Sequence, residues 1–241
     1  MSRTAADIPA DSAILCEHCG YTLDGLPADG NCPECGKPVT DSTAADGRHL
    51  IPWETKPSVA TFLSASGAVI FRPSHFFRHF LARGPKAPSR RFAMVYWVIG
   101  SMLFSIAAYE HQLWYARYYT DWSFVKPPLL LGLWAAGVVA FYGITLLAAR
   151  LTVWEARYRG LRLMRDAVLR GLDYHAAHYL PVGLLAAITT SLHNILIERR
   201  IIGSQTDTRY LWILSGEVVL CAMYLFWTYW AAMRNMMYAN R

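Results

Sequence analysis

Residues 127–149 read PPLLLGLWAAGVVAFYGITLLAA, 23 residues without a charge. A helix rises ~1.5 Å per residue and the hydrocarbon core of a bilayer is ~30 Å thick, so about 20 residues cross it. This stretch therefore predicts a membrane-spanning helix. Three further blocks lie around it. Phe92 to Tyr109 is free of charge, Tyr179 to Ile197 contains Pro181, His193 and Asn194, and Tyr210 to Met233 contains Glu217. Four spans are expected, at 92–109, 127–149, 179–197 and 210–233.

The rest of the composition agrees. The 241 residues are 54% hydrophobic and only 17% charged, against roughly 25% charged in a soluble domain. That excludes a disordered chain, a coiled coil and a nucleic-acid tail. Aromatic residues crowd the block ends: Tyr96 and Trp97, Tyr109, Trp114 and Tyr115, and Trp227, Tyr229 and Trp230. Their amphipathic rings prefer the headgroup layer.

Charge sets an expected orientation. The segment 57–91 before the first block, the loop 150–178 and the tail 234–241 carry fourteen Lys and Arg, and the loops 110–126 and 198–209 carry five. By the positive-inside rule both termini face the cytoplasm. Residues 1–15 have no apolar core of signal-peptide length, so the amino-terminal part is expected to stay on the synthesis side.

Four of the five cysteines lie in residues 16–39, as Cys16-Glu-His-Cys19-Gly20-Tyr21 and Cys32-Pro-Glu-Cys35-Gly36-Lys37. A two-residue gap lets one tight turn aim both sulfurs at one point. A glycine follows each pair, where positive φ is wanted. Two such knuckles close a tetrahedral four-sulfur site suited to zinc or iron, with Cys16, Cys19, Cys32 and Cys35 as ligands. A head this small needs the metal to fold, and reducing cytoplasm suits its thiolates. His18 is read as exposed. Residues 1–15 read as disordered, 40–56 as a linker and 57–91 as a basic amphipathic segment.

The knuckles resemble the zinc ribbons found at the termini of bacterial proteins, and also the short rubredoxin-like domain of rubrerythrins. Either likeness implies the same four ligands. The second implies iron and electron transfer. No di-iron pair, flavin, haem or second-cluster motif accompanies the head, so zinc is favoured. A zinc ribbon implies docking of a protein. Nucleic acid is disfavoured, because Lys37 is the only basic residue of the ribbon.

The segment 57–83, with Phe76, Phe77, Phe80 and Leu81 among Arg72, Arg78, Arg83, His75 and His79, suits a helix lying on lipid or packed under the bundle. The loop 150–178 reads as a basic amphipathic helix, from Arg150 to Arg170. The run from Pro73 to Phe80 and the entry from Tyr174 to Pro181 resemble Yip1-like membrane proteins, which implies a role in membrane organisation. Those proteins usually have five spans, where four are counted here.

Ionisable residues inside a membrane are candidates for function. Glu217, His193 and Asn194 lie at similar depth. A Glu217–His193 or Glu217–Asn194 contact is expected, as a polar clamp or as part of a proton or solute path. Gly132, Ala136 and Ala140 offer a small-residue face for packing or for a homodimer. His175 and His178 lack the companions of a zincin site, and no P-loop, Gly-x-Ser-x-Gly or dinucleotide motif is present. The reading is an all-α polytopic protein of a bacterial inner membrane with an amino-terminal zinc ribbon. It is expected to contact lipids and a cytoplasmic protein and not to be an enzyme.

Overall fold

The computed structural model describes Ala10 and residues 13–44, 47–119, 125–203 and 208–240. Most of the stretch read as a disordered terminus lies outside them. Nine α-helices are present among the described residues, and no strand. They are α1 (Thr40–Thr43), α2 (Pro52–Thr55), α3 (Val59–Phe71), α4 (Pro73–His79), α5 (Lys86–Tyr119), α6 (Pro127–Tyr158), α7 (Arg165–His175), α8 (Tyr179–Glu198) and α9 (Thr208–Met236). Four helical stretches are long and apolar enough to cross a membrane: α5, α6, the run Arg165–Glu198 that ends in α8, and α9. This is the all-α, four-span architecture expected from the apolar blocks.

The helices outrun the blocks that announce them. α5 continues ten residues past Tyr109, through Glu110, His111 and Arg117. α6 continues nine residues past Ala149. Hydropathy marks the part of a helix that suits lipid, and backbone hydrogen bonding continues wherever no Pro or Gly stops it. Pro181 sits in the first turn of α8, where a missing N–H is tolerated.

α3 and α4 meet at Arg72. Thr61 N–H donates to the Ser58 hydroxyl at 3.2 Å and Ser58 N–H donates to Thr61 Oγ1 at 3.0 Å, which satisfies the first turn of α3. Pro73 then bars Arg72 from helical geometry, and the chain turns.

By contacts the chain divides into two units. One comprises residues 1–92, 145–175 and 228–241, the other residues 93–144 and 176–227. In the first, Phe76, Phe77, Phe80, Phe92 and Tyr174 form an aromatic core, with Phe92 and Tyr174 centred 4.8 Å apart. The Phe side of the 57–83 segment thus packs inward, while Val59, Leu63 and Phe71 of α3 stay exposed.

The loop 150–178 is not one basic surface helix. α6 ends at Tyr158, and α7 is almost wholly buried. Arg170 is 1% exposed and pairs with Glu54 at 2.9 Å. Its guanidinium also donates to the carbonyls of Leu81 and Pro85. Tyr174 O–H donates to the same Glu54 carboxylate at 2.9 Å. Asp173 accepts from the Ser89 hydroxyl at 3.0 Å and lies 3.5 Å from Arg90. A pattern of Arg among apolar residues reads as a basic amphipathic helix because the acids that neutralise it lie elsewhere in the sequence.

In the second unit small residues bring helices together. A Cβ on Gly137 would meet Ser101, and one on Gly183 would meet Leu103. Phe141 stacks on Tyr179 with centroids 4.3 Å apart. Gly132, Ala136 and Ala140 face outward instead, so Gly137 supplies the close packing of α6.

Candidate metal centre

The two knuckles are built alike. In the first, Cys16 N–H donates to Tyr21 O and Gly20 N–H to Cys16 O, both at 2.8 Å. In the second, Cys32 N–H donates to Lys37 O and Gly36 N–H to Cys32 O, again at 2.8 Å. Gly20 and Gly36 adopt φ of 83° and 69°, the positive values expected of them. Single antiparallel bridges, Leu15 to Thr22 and Asn31 to Pro38, close the two turns.

These turns bring Cys16, Cys19, Cys32 and Cys35 together with all four sulfurs within 4.8 Å of one another. The Cys16–Cys35 and Cys19–Cys32 sulfur pairs are each 3.6 Å apart. A disulfide needs about 2.05 Å. Four sulfurs at about 2.3 Å from one tetrahedral ion are about 3.8 Å from each other. The cluster therefore fits a metal ion and not a disulfide pair. It could hold such an ion with its own thiolates alone, while Leu23 and Val39 pack beside Cys16 and Cys32.

Electrostatics differ between sulfurs. Burial pushes the Cys19 thiol up to about 12. Burial also acts on Cys32, but amide donation from Cys35 and Glu34 outweighs it and lowers that thiol to about 7. Backbone N–H groups aimed at a sulfur favour its thiolate, the form that binds metal. His18 is exposed at the rim.

The head is bound to the rest of its unit through two residues that carry no motif or hydropathy signal. Arg48, 6% exposed, spends every N–H. Its Nε donates to both Glu17 oxygens at 3.0 Å, and its Nη1 donates to Phe77 O and Phe80 O at 3.1 Å. Nη2 pairs with Glu17 at 2.8 Å and donates to Asn235 O at 2.8 Å. Asn240 donates from Nδ2 to Leu15 O and Ser42 O, and its Oδ1 accepts from Leu15 N–H and Arg162 Nη2. The stretch 40–56, read as a linker, holds α1, α2 and this buried arginine. A lone Arg among small polar residues carries no hydropathy signal, so only the Glu17 and α9 partners reveal its role.

Beside the first knuckle opens a cleft of about 770 Å³, lined among others by His18, Cys19, Arg78, Arg234, Trp230 and Tyr238.

Two of the intramembrane candidates have close partners. Asn194 Nδ2 donates to the Glu110 carboxylate at 2.6 Å and to the Glu110 carbonyl at 2.9 Å. His193 stacks on Tyr210, with ring centroids 3.7 Å apart, and meets the Trp114 ring at 5.6 Å. Glu217 is 9% exposed. Glu110, one residue beyond the first apolar block, is the acid that Asn194 finds. His175 and His178 take separate hydroxyl partners, Thr228 at 2.9 Å and Tyr224 at 2.7 Å.

No protein family, curated protein or solved structure matches this chain.

Proposed function

We propose that the protein is a membrane-anchored zinc ribbon that docks a cytoplasmic protein at a bacterial inner membrane, without catalysing a reaction. The observation that carries this reading is the four-sulfur cluster on a head stitched by Arg48 and Asn240 to the ends of α4 and α9. A head held in this way can present a fixed surface. The cleft beside Cys19, with exposed Arg78 and Arg234 on its wall, supplies a concave face for an occupant. Zinc suits a site without redox partners, and iron is the alternative, which would give a red protein after anaerobic purification. The ring stacking of His193 and the Asn194–Glu110 bond support a polar clamp inside the bundle rather than a solute path.

The test is a photo-crosslinking amino acid at His18, on the rim of the cleft, in living cells. A discrete adduct with a cytoplasmic protein, lost when Cys32→Ser abolishes the metal site, is the expected result. A metal-loaded head that yields no adduct would refute docking.

A further inference from the structure

A second group of possible ligands, distinct from the four cysteines, lies in the same unit. His75 and His79 occupy consecutive turns of one face of α4, with ring centroids 4.4 Å apart. His49 comes from the segment between α1 and α2. Its N–H donates to His79 O at 2.9 Å, and Leu81 N–H donates to His49 O at 3.1 Å. This short parallel pairing fixes His49 beside His79, with ring centroids 6.4 Å apart. All three imidazoles line one pocket of about 180 Å³, whose other walls are Ile51, Pro52, Phe76 and small residues of α3.

Three features point to a metal ion. First, histidines four apart on a helix present both rings to one ion, as in metal motifs of that spacing. Second, His79 Nδ1 lies 2.9 Å from His75 O. A ring whose Nδ1–H is held by a carbonyl offers Nε2 as its free lone pair, the arrangement that orients metal-binding histidines. Third, an ion about 2.1 Å from each nitrogen sets ring centres about 4.5 to 5.2 Å apart at bond angles of about 90 to 110°. The helical pair, at 4.4 Å, stands at the short end of that spacing. The His49 ring stands about 1 Å too far from that of His79, and both His49 and His75 are exposed. Ligation by all three therefore requires His49 to rotate about its side-chain bonds. No carboxylate lines this pocket, so imidazole alone would select the ion, which favours zinc, copper, nickel or cobalt over calcium or magnesium.

We propose that His49, His75 and His79 form a second, exchangeable site for a divalent transition metal, with the remaining coordination positions left to water. It binds more weakly than the thiolate site, because its ligands are neutral and one of them must move.

Cobalt(II) titration of the full chain in detergent separates the two sites. Thiolate ligation gives intense near-ultraviolet charge-transfer bands, and imidazole ligation gives only weak visible bands. Wild type is expected to take two cobalt ions per chain, the second without added charge-transfer intensity. H75A and H79A should each weaken the second event at least about tenfold and leave the charge-transfer band unchanged, which also reports that the head is folded. H18A should keep both events. One equivalent in the wild type, or a second event that survives in the H49A/H75A/H79A chain, would overturn the proposal. Absence of the charge-transfer band in the wild type would instead strike the thiolate reading.

Discussion

Two neighbouring glycines show how much a single position can depend on what surrounds it. Gly20 and Gly36 share positive φ, so alanine at either is strained by about 1 kcal/mol. At Gly36 a Cβ meets nothing within 4 Å. At Gly20 it would lie 2.5 Å from the Tyr238 ring. Gly20→Ala should therefore weaken metal retention more than Gly36→Ala, measured by competition with a chelator. Equal losses would show that the Tyr238 contact contributes nothing. The buried Arg170–Glu54 pair makes a larger demand. Glu54→Ala leaves a guanidinium in the aromatic core with one carbonyl-only shell, and breaking such a pair costs about 3–5 kcal/mol. A clear drop in the thermal midpoint of the detergent-solubilised chain is expected. An unchanged midpoint would mean that water replaces the carboxylate.

At the scale of elements, the sequence is most informative where one property dominates. Twenty-three uncharged residues leave α6 no other reading, and two Cys-x2-Cys-Gly turns define their own geometry. The reading weakens where structure depends on a partner far along the chain. α7 holds Arg170 and Asp173 inside because Glu54 and Ser89 come from elsewhere. Asn194 bonds Glu110 because α5 stays helical past its apolar block, which hydropathy alone does not reveal. That bond ties α8 to α5. Asn194→Ala should lower stability by about 0.6 kcal/mol, the mean for side-chain hydrogen bonds between membrane helices, and by no more than about 1.7 kcal/mol. Glu110→Gln, which can still accept, should lose less. If the two variants melt together well below wild type, the charge of Glu110 matters more than the bond.

For the whole molecule, metal should govern the head and leave the spans alone. Residues 16–39 bury only a few apolar side chains around Cys16 and Cys32, too few to fold so short a segment without a staple. Chelation is expected to open this segment to protease while far-ultraviolet circular dichroism stays nearly constant, because α5, α6, α8 and α9 draw nothing from the thiolates. Acid should do the same through the ligands. Bound metal requires thiolates, whereas the metal-free state holds protons on any sulfur whose pKa lies above the solution pH. Cys19, pushed up to about 12, and Cys35, also raised, each release a proton on binding throughout the neutral range, and Cys32, lowered to about 7, adds one more only as the pH falls through that value. Affinity should thus fall with falling pH, and each released proton costs roughly tenfold per unit. The slope of log affinity against pH should steepen by about one proton below pH 7. A competition series between pH 6 and 8 reads this directly. A slope that stays constant through pH 7 would show that the Cys35 and Glu34 amides do not hold the Cys32 thiolate, and a flat line would remove the thiols from the site.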